Sequence, residues 1–337
     1  RAVGGRLEFI NYNFTGYTNT TKMYGCDGVN PAFEFDGTTY VPIRTGMTAD
    51  TPLHLIAHRG YLFLSFRASV QYSGIGNPYA WTIVLGAGDI STSTNVSGFI
   101  QQAGDGSGSS LAIFTEERPF FLYGTSSVDF KLVTSSFDVG FIAYTAQQVS
   151  NDSFGMTTRG IQALGTTQAY GDFIYSSVSH MIQPLITLKR GLACASNTIR
   201  TKNQYRIYFT DNTAIAVGLT GDKVSGIMPL NYAIPVRCIV SATLTTGAEV
   251  TYFGSDDGYV YQDNVGTSQD GDVIEAYIRL PFNNDKSPRI RKRFRRSIAE
   301  IVAEGYGRIN VSYDFGYANP DVQPSAPAAD NVLTGAG

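Results

Sequence analysis

The feature that most constrains the fold is a recurring unit of two apolar strands joined by a short polar turn. Its copies lie near residues 33–43, 53–66, 110–124, 157–170, 205–219 and 249–261. In the first copy, FEFDGTTYVPI, apolar residues alternate on either side of Asp36-Gly37, a dipeptide that favours a tight hairpin turn. Repeated hairpins of this kind predict an all-β chain of many short antiparallel strands.

The spacing of these hairpins, roughly 20 to 50 residues, favours a β-propeller, in which four-stranded antiparallel sheets surround a central channel. The 21 tyrosines, 20 phenylalanines and 36 glycines fit aromatic strands joined by Gly-rich turns. The predicted fold is therefore a β-propeller-like array of short strands, followed by a Pro/Ala-rich C-terminal arm. A β-sandwich or two smaller β domains is the main alternative.

Several segments outside these hairpins also carry structural predictions. Residues 7–14 and 272–282 alternate like strands, whereas the Ser/Gly-rich residues 90–109 predict a long surface loop. Residues 176–192 are the nearest to a helix, which Pro184 is expected to break. We predict a propeller body over 1–285, a basic strand with a closing β segment over 286–318, and an extended or disordered arm over 319–337.

One stretch, KSPRIRKRFRR from Lys286 to Arg296, has seven basic residues among eleven and no acidic one. The whole chain has 25 Lys and Arg against 28 Asp and Glu, which gives a net charge of −3. Outside the stretch, 18 basic residues face 28 acidic ones, a net charge of −10. Any affinity for nucleic acid or an anionic surface is therefore expected to be local.

If the basic stretch is a strand, its alternate side chains lie on opposite faces. The arginines of one face are Arg289, Arg291, Arg293 and Arg295. The other face carries Lys292 and Arg296 beside the apolar Ile290, Phe294 and Ile298, which are able to pack. The four arginines would be spaced by about 6.5–7 Å, close to the phosphate repeat of one DNA strand.

Three hypotheses for the basic stretch stay open. The arginines pair with the acidic surface of a neighbouring subunit, contact a nucleic-acid backbone without reading bases, or form a solvated edge strand whose charge prevents aggregation. The acidic remainder of the chain favours the first hypothesis.

No catalytic or metal-binding constellation stands out. His54 and His58 are four residues apart, but LHLIAHRGYLFL reads as two strands, and no third ligand has a suitable spacing. The candidate acids of a glycosidase are Glu116, Glu117, Asp129, Asp138, Asp256 and Asp257. Most of them fall in turns, where such side chains are usually solvated or bond the backbone. We therefore expect neither an enzyme nor a bound cofactor or metal.

The turn at 254–262, GSDDGYVYQ, is interpreted as a propeller hairpin, since it does not match a calcium-binding loop. Cys26, Cys194 and Cys238 form no metal-ligand or disulfide pattern, and we expect buried free thiols in a reducing compartment. No apolar run approaches the roughly 20 residues that a membrane-spanning helix needs.

An ordered series of motifs over residues 203–325 resembles a known family. It comprises NQYRIYFTDN, GIMPLNYAIPV, EVTYFGSDDGYVYQDNVGTSQDG, IEAYIRLPFNN, SPRIRKRFRR and VSYDFGYANPDVQPS. Earlier segments, among them AHRGYLFLSF, NPYAWTIV and SLAIFTEERPFFLYGTSSVDFKLV, also fit. The series resembles the β-propeller-containing tail proteins of tailed bacteriophages, especially the tail tube or nozzle (tail hub) subunits of short-tailed phages.

This resemblance implies a structural virion protein that is made in the cytoplasm of the host bacterium. It implies a homo-oligomeric, commonly hexameric ring that retains double-stranded DNA and conducts it at ejection. It also implies adaptor, portal-proximal and fibre proteins as partners, and it carries over no catalytic residue. The alternatives are an adaptor on which fibres or tailspikes dock, and a carbohydrate-active β-propeller.

Overall fold

The computed structural model describes residues 2–102, 110–134, 139–149, 152–164, 177–221, 223–280, 298, 300, 307–311 and 331–335. The chain divides into two compact units, Arg1–Ile274 and Glu275–Gly337. The first unit contains six antiparallel sheets, and each is built from strands that are consecutive in the sequence. Sequential up-and-down sheets of this kind are the blades of a β-propeller.

The strands of the first three blades are short and follow the predicted hairpins. Blade 1 consists of β1 (Glu8–Tyr12), β2 (Lys22–Cys26), β3 (Phe33–Phe35) and β4 (Tyr40–Pro42). Blade 2 consists of β5 (Leu55–His58), β6 (Tyr61–Phe66), β7 (Ser69–Tyr72) and β8 (Gly88–Ser91). Blade 3 consists of β9 (Val96–Gln101), β10 (Leu111–Thr115), β11 (Pro119–Tyr123) and β12 (Lys131–Thr134).

Among the described residues, blade 5 has four strands, whereas blades 4 and 6 have three each. Blade 4 consists of β13 (Gln147–Val149), β14 (Asp152–Thr157) and β15 (Gly160–Ala163). Blade 5 consists of β16 (Ala193–Ile199), β17 (Gln204–Phe209), β18 (Thr213–Thr220) and β19 (Lys223–Asn231). Blade 6 consists of β20 (Cys238–Thr243), β21 (Glu249–Gly254) and β22 (Val260–Asp263). The prediction of an all-β propeller is confirmed, and the propeller has six blades.

The first strand of each blade lies nearest the axis. Each of these inner strands contacts the next one along the chain, from β1 to β5 and onward to β20. The second strands of blades 2 and 3 are buried on both faces, because they lie between neighbouring blades; all six residues of β6 and all five of β10 are buried. These two strands therefore read as nearly continuous apolar runs rather than as alternating ones.

The hydrophobic core is divided among the spaces between neighbouring blades. Leu62 and Leu64 of blade 2 pack with Tyr24 of blade 1, and their neighbour Phe63 points the other way, toward Leu111 of blade 3. Similar clusters join blade 3 to blade 4, blade 4 to blade 5, and blade 5 to blade 6. Alternate residues of one strand thus serve two different cores, as the two-residue period requires.

Three local predictions are corrected by the structure. The loop predicted over 90–109 contains the end of β8 and all of β9, because VSGFIQ pairs with β10 despite its polar surroundings. Pro184 lies in the first turn of a short helix, α1 (Gln183–Lys189), instead of breaking one; in the first turn its missing N–H has no helical partner to lose. Residues 272–280 form no strand, and the rest of the strand predicted over 272–282 lies outside the described residues.

The second unit contains a two-stranded antiparallel sheet formed by β23 (Gly307–Val311) and β24 (Asn331–Gly335). The end of the predicted C-terminal arm is therefore a strand, and residues 319–330 lie outside the described part of the chain. The domain boundaries predicted from the sequence stay a prediction.

Candidate functional site

The residues predicted to contact nucleic acid or a neighbouring subunit lie outside the described part of the chain. They are Arg289, Arg291, Lys292, Arg293, Arg295 and Arg296. Their arrangement on two faces of a strand stays a prediction. The described residues instead show a cluster of polar and aromatic side chains at one end of the propeller axis, which the sequence did not indicate.

This cluster, named here the entrance cluster, consists of Arg6, Glu8, His54, Tyr144 and Cys194. Each residue lies at or shortly before the first residues of an inner strand, in β1, β5, β13 or β16. Contacts between these positions place the starts of the four strands on the same face of the propeller. The cluster therefore links blades 1, 2, 4 and 5 across the end of the channel.

Glu8 and His54 form the ionisable pair of the entrance cluster. The Nδ1 atom of His54 lies 2.7 Å from Oε2 of Glu8, and the histidine is 1% exposed. The backbone N–H of His54 donates to Ser65 Oγ at 2.9 Å, which fixes the start of β5. Since a carboxylate oxygen only accepts hydrogen bonds, Nδ1 of His54 is the donor in this contact.

Arg6 and Tyr144 close the other side of the entrance cluster. The Arg6 guanidinium lies 3.5 Å from the centroid of the Tyr144 ring, a cation–π contact, and its Nη1 donates to the carbonyl oxygen of Cys194. The Tyr144 ring also lies 5.2 Å from the His54 ring. Burial raises the pKa of Tyr144 to about 12, although the Arg6 charge opposes this shift.

The backbone around the entrance cluster includes a left-handed residue and a close approach that only glycine allows. Tyr144 has φ 64°, a conformation that costs a bulky side chain energy. Ser196 Oγ donates to its carbonyl oxygen at 2.8 Å. At Gly5, a Cβ would lie 2.4 Å from the carbonyl oxygen of Asp27, so only glycine fits where the N-terminal segment crosses blade 1. In the entrance cluster, Arg6 contacts Tyr144, Tyr144 contacts His54, and His54 pairs with Glu8, so the cluster is one connected structural element.

Three of the candidate carboxylates, Asp129, Asp256 and Asp257, hold turns or pair with neighbouring side chains, whereas Glu116 and Glu117 lie exposed between β10 and β11. Asp129 accepts hydrogen bonds from the backbone N–H groups of Thr125 and Ser126, which hold its pKa well below the usual range. Asp256 pairs with Arg237 at 2.6 Å, and Asp257 accepts from the Tyr261 hydroxyl at 2.6 Å. Asp138 lies outside the described residues. The loop that carries Asp256 and Asp257 joins β21 to β22, as the hairpin interpretation predicted.

Of the two histidines considered for metal binding, His58 is the last residue of β5, as predicted, whereas His54 directly precedes that strand. Within the residues that the structure describes, no group of three or more His, Cys, Asp or Glu side chains could hold a metal ion. None of the three cysteines forms a disulfide, but the prediction of buried thiols is right only for Cys26. Cys194 is partly buried and Cys238 is exposed.

His58 predicts a pH dependence of stability. Burial, with a smaller effect of the neighbouring Arg59, lowers the pKa of His58 from 6.5 to about 4. The unfolded chain binds this proton first, so the stabilisation is complete above pH 6.5 and is lost as the pH falls toward about 4. Between pH 6.5 and about 4, the free energy of unfolding of the wild type should therefore fall more steeply with decreasing pH than that of His58→Gln. The difference in slope should be up to about 1.4 kcal/mol per pH unit.

Urea titrations at several pH values measure this effect. His180→Gln is the matched control because His180 is exposed. Equal pH slopes for the two variants would show that His58 does not titrate in this way.

A second site that sequence reasoning missed is a buried arginine between blades 5 and 6. Arg206 of β17 is 4% exposed, and its Nη1 lies 2.9 Å from Oδ2 of Asp263 in β22. Its Nε and Nη2 atoms donate to Gln204 Oε1 at 3.0 and 2.8 Å. The only sequence signal is an arginine inside the apolar run QYRIYF, because its partner is distant in the chain. Arg206 fixes blade 6 to blade 5.

None of the helices in the described ranges is both long and apolar enough to span a membrane. No protein-family model matches the sequence, and no curated protein matches it.

Solved structures are similar to this chain in fold. A crystal structure of BBS1N in complex with ARL6DN, soaked with mercury, has a TM-score of 0.51 and 13% sequence identity, over 76% of this chain and 77% of that chain. The same complex soaked with lead gives a TM-score of 0.50 and 14% identity, over 76% and 77% of the two chains. The WD40 β-propeller domain of Doa1 has a TM-score of 0.42 and 10% identity, over 74% and 80%. At such identities the similarity to BBS1N establishes a β-propeller fold alone.

Proposed function

We propose that this chain is a structural subunit of a bacteriophage tail. In this proposal several copies, six in the simplest case, form a ring-shaped nozzle or tail-tube channel within the virion. The ring retains double-stranded DNA, conducts it during ejection and anchors tail appendages. The subunit is made in the cytoplasm of the host bacterium and has no catalytic role.

The observation that carries this proposal is the entrance cluster. The side chains of Arg6, Tyr144 and His54 occupy one end of the propeller axis and contact one another. A propeller whose inner strands are bridged in this way is suited to act as a rigid block. The ordered motifs over 203–325 resemble those of phage tail proteins and include the basic stretch, and this resemblance supports a tail as the assembly.

The mechanism is geometric and electrostatic. Outside the basic stretch the chain has 18 basic and 28 acidic residues, so a channel lined by its acidic surface would repel DNA and let it slide. Arginines at one level of the channel would hold or register the DNA backbone. The same arginines could instead join neighbouring subunits through their acidic surfaces. As a precedent for protein assembly by this fold, the similar propeller BBS1N was crystallised in complex with ARL6DN.

Replacing Arg289, Arg291, Arg293 and Arg295 with serine tests the role of the basic stretch. If the arginines join subunits, the ring should dissociate at concentrations where the wild type stays assembled. If they contact DNA, the ring should persist, and the slope of log K for DNA against log salt should fall by about 3.6, or about 0.9 for each lost phosphate contact. Native mass spectrometry and a salt titration of DNA binding measure the two effects.

The matched control removes the same charge from the propeller surface by replacing Arg44, Arg67, Arg190 and Arg200, all exposed, with serine. It should change neither measurement. If the basic-stretch variant behaves like this control, the arginines have no role in the proposed channel.

A further inference from the structure

Two neighbouring loops of blades 2 and 3 present apolar side chains to solvent. Four large side chains in them are between 59% and 95% exposed: Ile83, Val84, Leu85 and Val128. The first three form a short helical turn between β7 and β8, and the fourth lies between β11 and β12. The two loops lie side by side, because a Cβ added at Gly86 would be 3.8 Å from Ser127 Oγ. These four side chains are named the apolar tip.

The loop that carries most of the apolar tip is held in shape by its own backbone. The N–H of Leu85 donates to the carbonyl oxygen of Thr82 at 2.9 Å. Gly86 donates to the carbonyl oxygen of Ile83 at 3.0 Å and ends the turn with φ 85°, which glycine adopts without strain. The backbone at Gly74 packs closely on this turn, since a Cβ there would lie 2.5 Å from the carbonyl oxygen of Leu85. The exposed side chains are therefore preorganised, and a contact with them loses little conformational entropy.

The surroundings of the apolar tip match a lipid surface in their chemistry. Residues 73–88, SGIGNPYAWTIVLGAG, contain no charged side chain. They include Trp81, the single tryptophan of the chain, which is partly exposed and donates from Nε1 to the carbonyl oxygen of Pro78 at 2.9 Å. Tryptophan is enriched where proteins cross the water–membrane interface, because its ring is amphipathic. The charged residues that follow the two parts of the tip are Asp89 and Asp129, so a contact here would not depend on anionic headgroups.

The apolar tip lies on the face of the propeller opposite the entrance cluster. In an up-and-down blade, the connection from the third to the fourth strand lies at the end where the first strand finishes, and the entrance cluster lies where the first strands begin. A hydrogen bond of 2.8 Å from the N–H of Gly76 to the carbonyl oxygen of Gly60 joins the β7–β8 loop to the β5–β6 turn at this end. Four side chains are far fewer than the roughly 20–30 residues that each partner contributes to a stable protein interface. A tip of this size suits insertion into a lipid surface better than docking of a protein.

We propose that the apolar tip inserts into the surface of a lipid bilayer and docks the propeller on a membrane by this face. The binding strength then comes from the apolar area that leaves water. Binding should therefore occur on zwitterionic phosphatidylcholine and should weaken little as salt is added. A single tip should bind weakly and reversibly, and several copies in one ring would bind more tightly because their contacts act together. The inference goes beyond the proposed function and holds for a single propeller as well.

Flotation with phosphatidylcholine vesicles tests the insertion. The wild type should float with the vesicles, and Val84→Asp should lower the partition coefficient at least about tenfold, because a carboxylate is costly among acyl chains. Val3→Asp is the matched control: Val3 is also 95% exposed, but the adjacent Ala2 bonds Asn30 in the β2–β3 loop, on the side of the entrance cluster. It should leave flotation unchanged. Trp81 gives a second measurement, since its emission should shift to shorter wavelength and be quenched by lipids brominated on their acyl chains.

Three results would overturn the inference. The first is a wild type that does not float with phosphatidylcholine vesicles, and the second is flotation that Val84→Asp leaves intact. The third is flotation only on vesicles that contain phosphatidylglycerol, because basic residues would then bind the anionic headgroups. If the wild type does not float and Val84→Asp dissociates an oligomer in native mass spectrometry, the apolar tip is a contact between protein copies instead. Flotation of a monomer through the tip supports the inference and contradicts the proposed ring.

Discussion

Replacing Arg206 with methionine is expected to lower the free energy of unfolding by about 3–5 kcal/mol. The substitution keeps an unbranched side chain but removes the guanidinium that pairs with Asp263 at 2.9 Å. The Asp263 side chain is only 12% exposed, so its carboxylate would be left largely desolvated without its cationic partner. Gln204 and Tyr232 would lose hydrogen-bond donors as well. Blade 6 should therefore detach from blade 5 more readily.

The double variant Arg206→Met/Asp263→Leu should recover much of this loss, because replacing a whole buried pair by apolar side chains is often close to neutral. Urea denaturation of both single variants and the double variant gives the coupling energy. Arg200→Met is the control, since Arg200 is exposed. This substitution should change the free energy of unfolding by no more than about 0.5 kcal/mol. Additive losses in the double variant would mean that the pair does not act as a unit.

Replacing Phe63 with alanine is expected to lower the free energy of unfolding by about 3–5 kcal/mol. Phe63 is fully buried, and its ring lies 5.6 Å from Tyr72 and 6.1 Å from Phe130, so it joins the cores of blades 2 and 3. The loss combines the burial of the ring with the cavity that remains. This cavity would lie between blades 2 and 3, and both blades would have to move to fill it.

The same substitution at Phe9, which is 56% exposed in β1, is the matched control and should cost far less. Denaturant unfolding followed by near-ultraviolet circular dichroism compares the two variants. Similar losses for both would contradict the assignment of the core to the spaces between blades.

The hairpins were predictable because their signals are local. Alternating apolar residues and turn dipeptides marked the pairs β3–β4, β5–β6, β10–β11, β17–β18 and β21–β22 without any knowledge of the rest of the chain. β9 was missed because VSGFIQ is flanked by Ser/Gly-rich sequence, and its pairing with β10 decides its structure. The opposite error occurred at residues 272–280, where strand pattern was present but no strand of the described chain pairs with it.

The entrance cluster could not be predicted from sequence for a similar reason. Arg6 and Cys194 are 188 residues apart, and only the closing of the propeller brings them together. The left-handed backbone of Tyr144 is set by contacts with blade 5 and not by its own residue type. The buried pair of Arg206 and Asp263 likewise depends on the order of the blades.

Native mass spectrometry of the protein tests whether this chain forms a ring. We expect a stable closed oligomer, of six copies in the simplest case, and no release of sugar from host glycans. A monodisperse monomer at high concentration, with sugar-releasing activity, would exclude the proposed ring and favour a carbohydrate-active propeller.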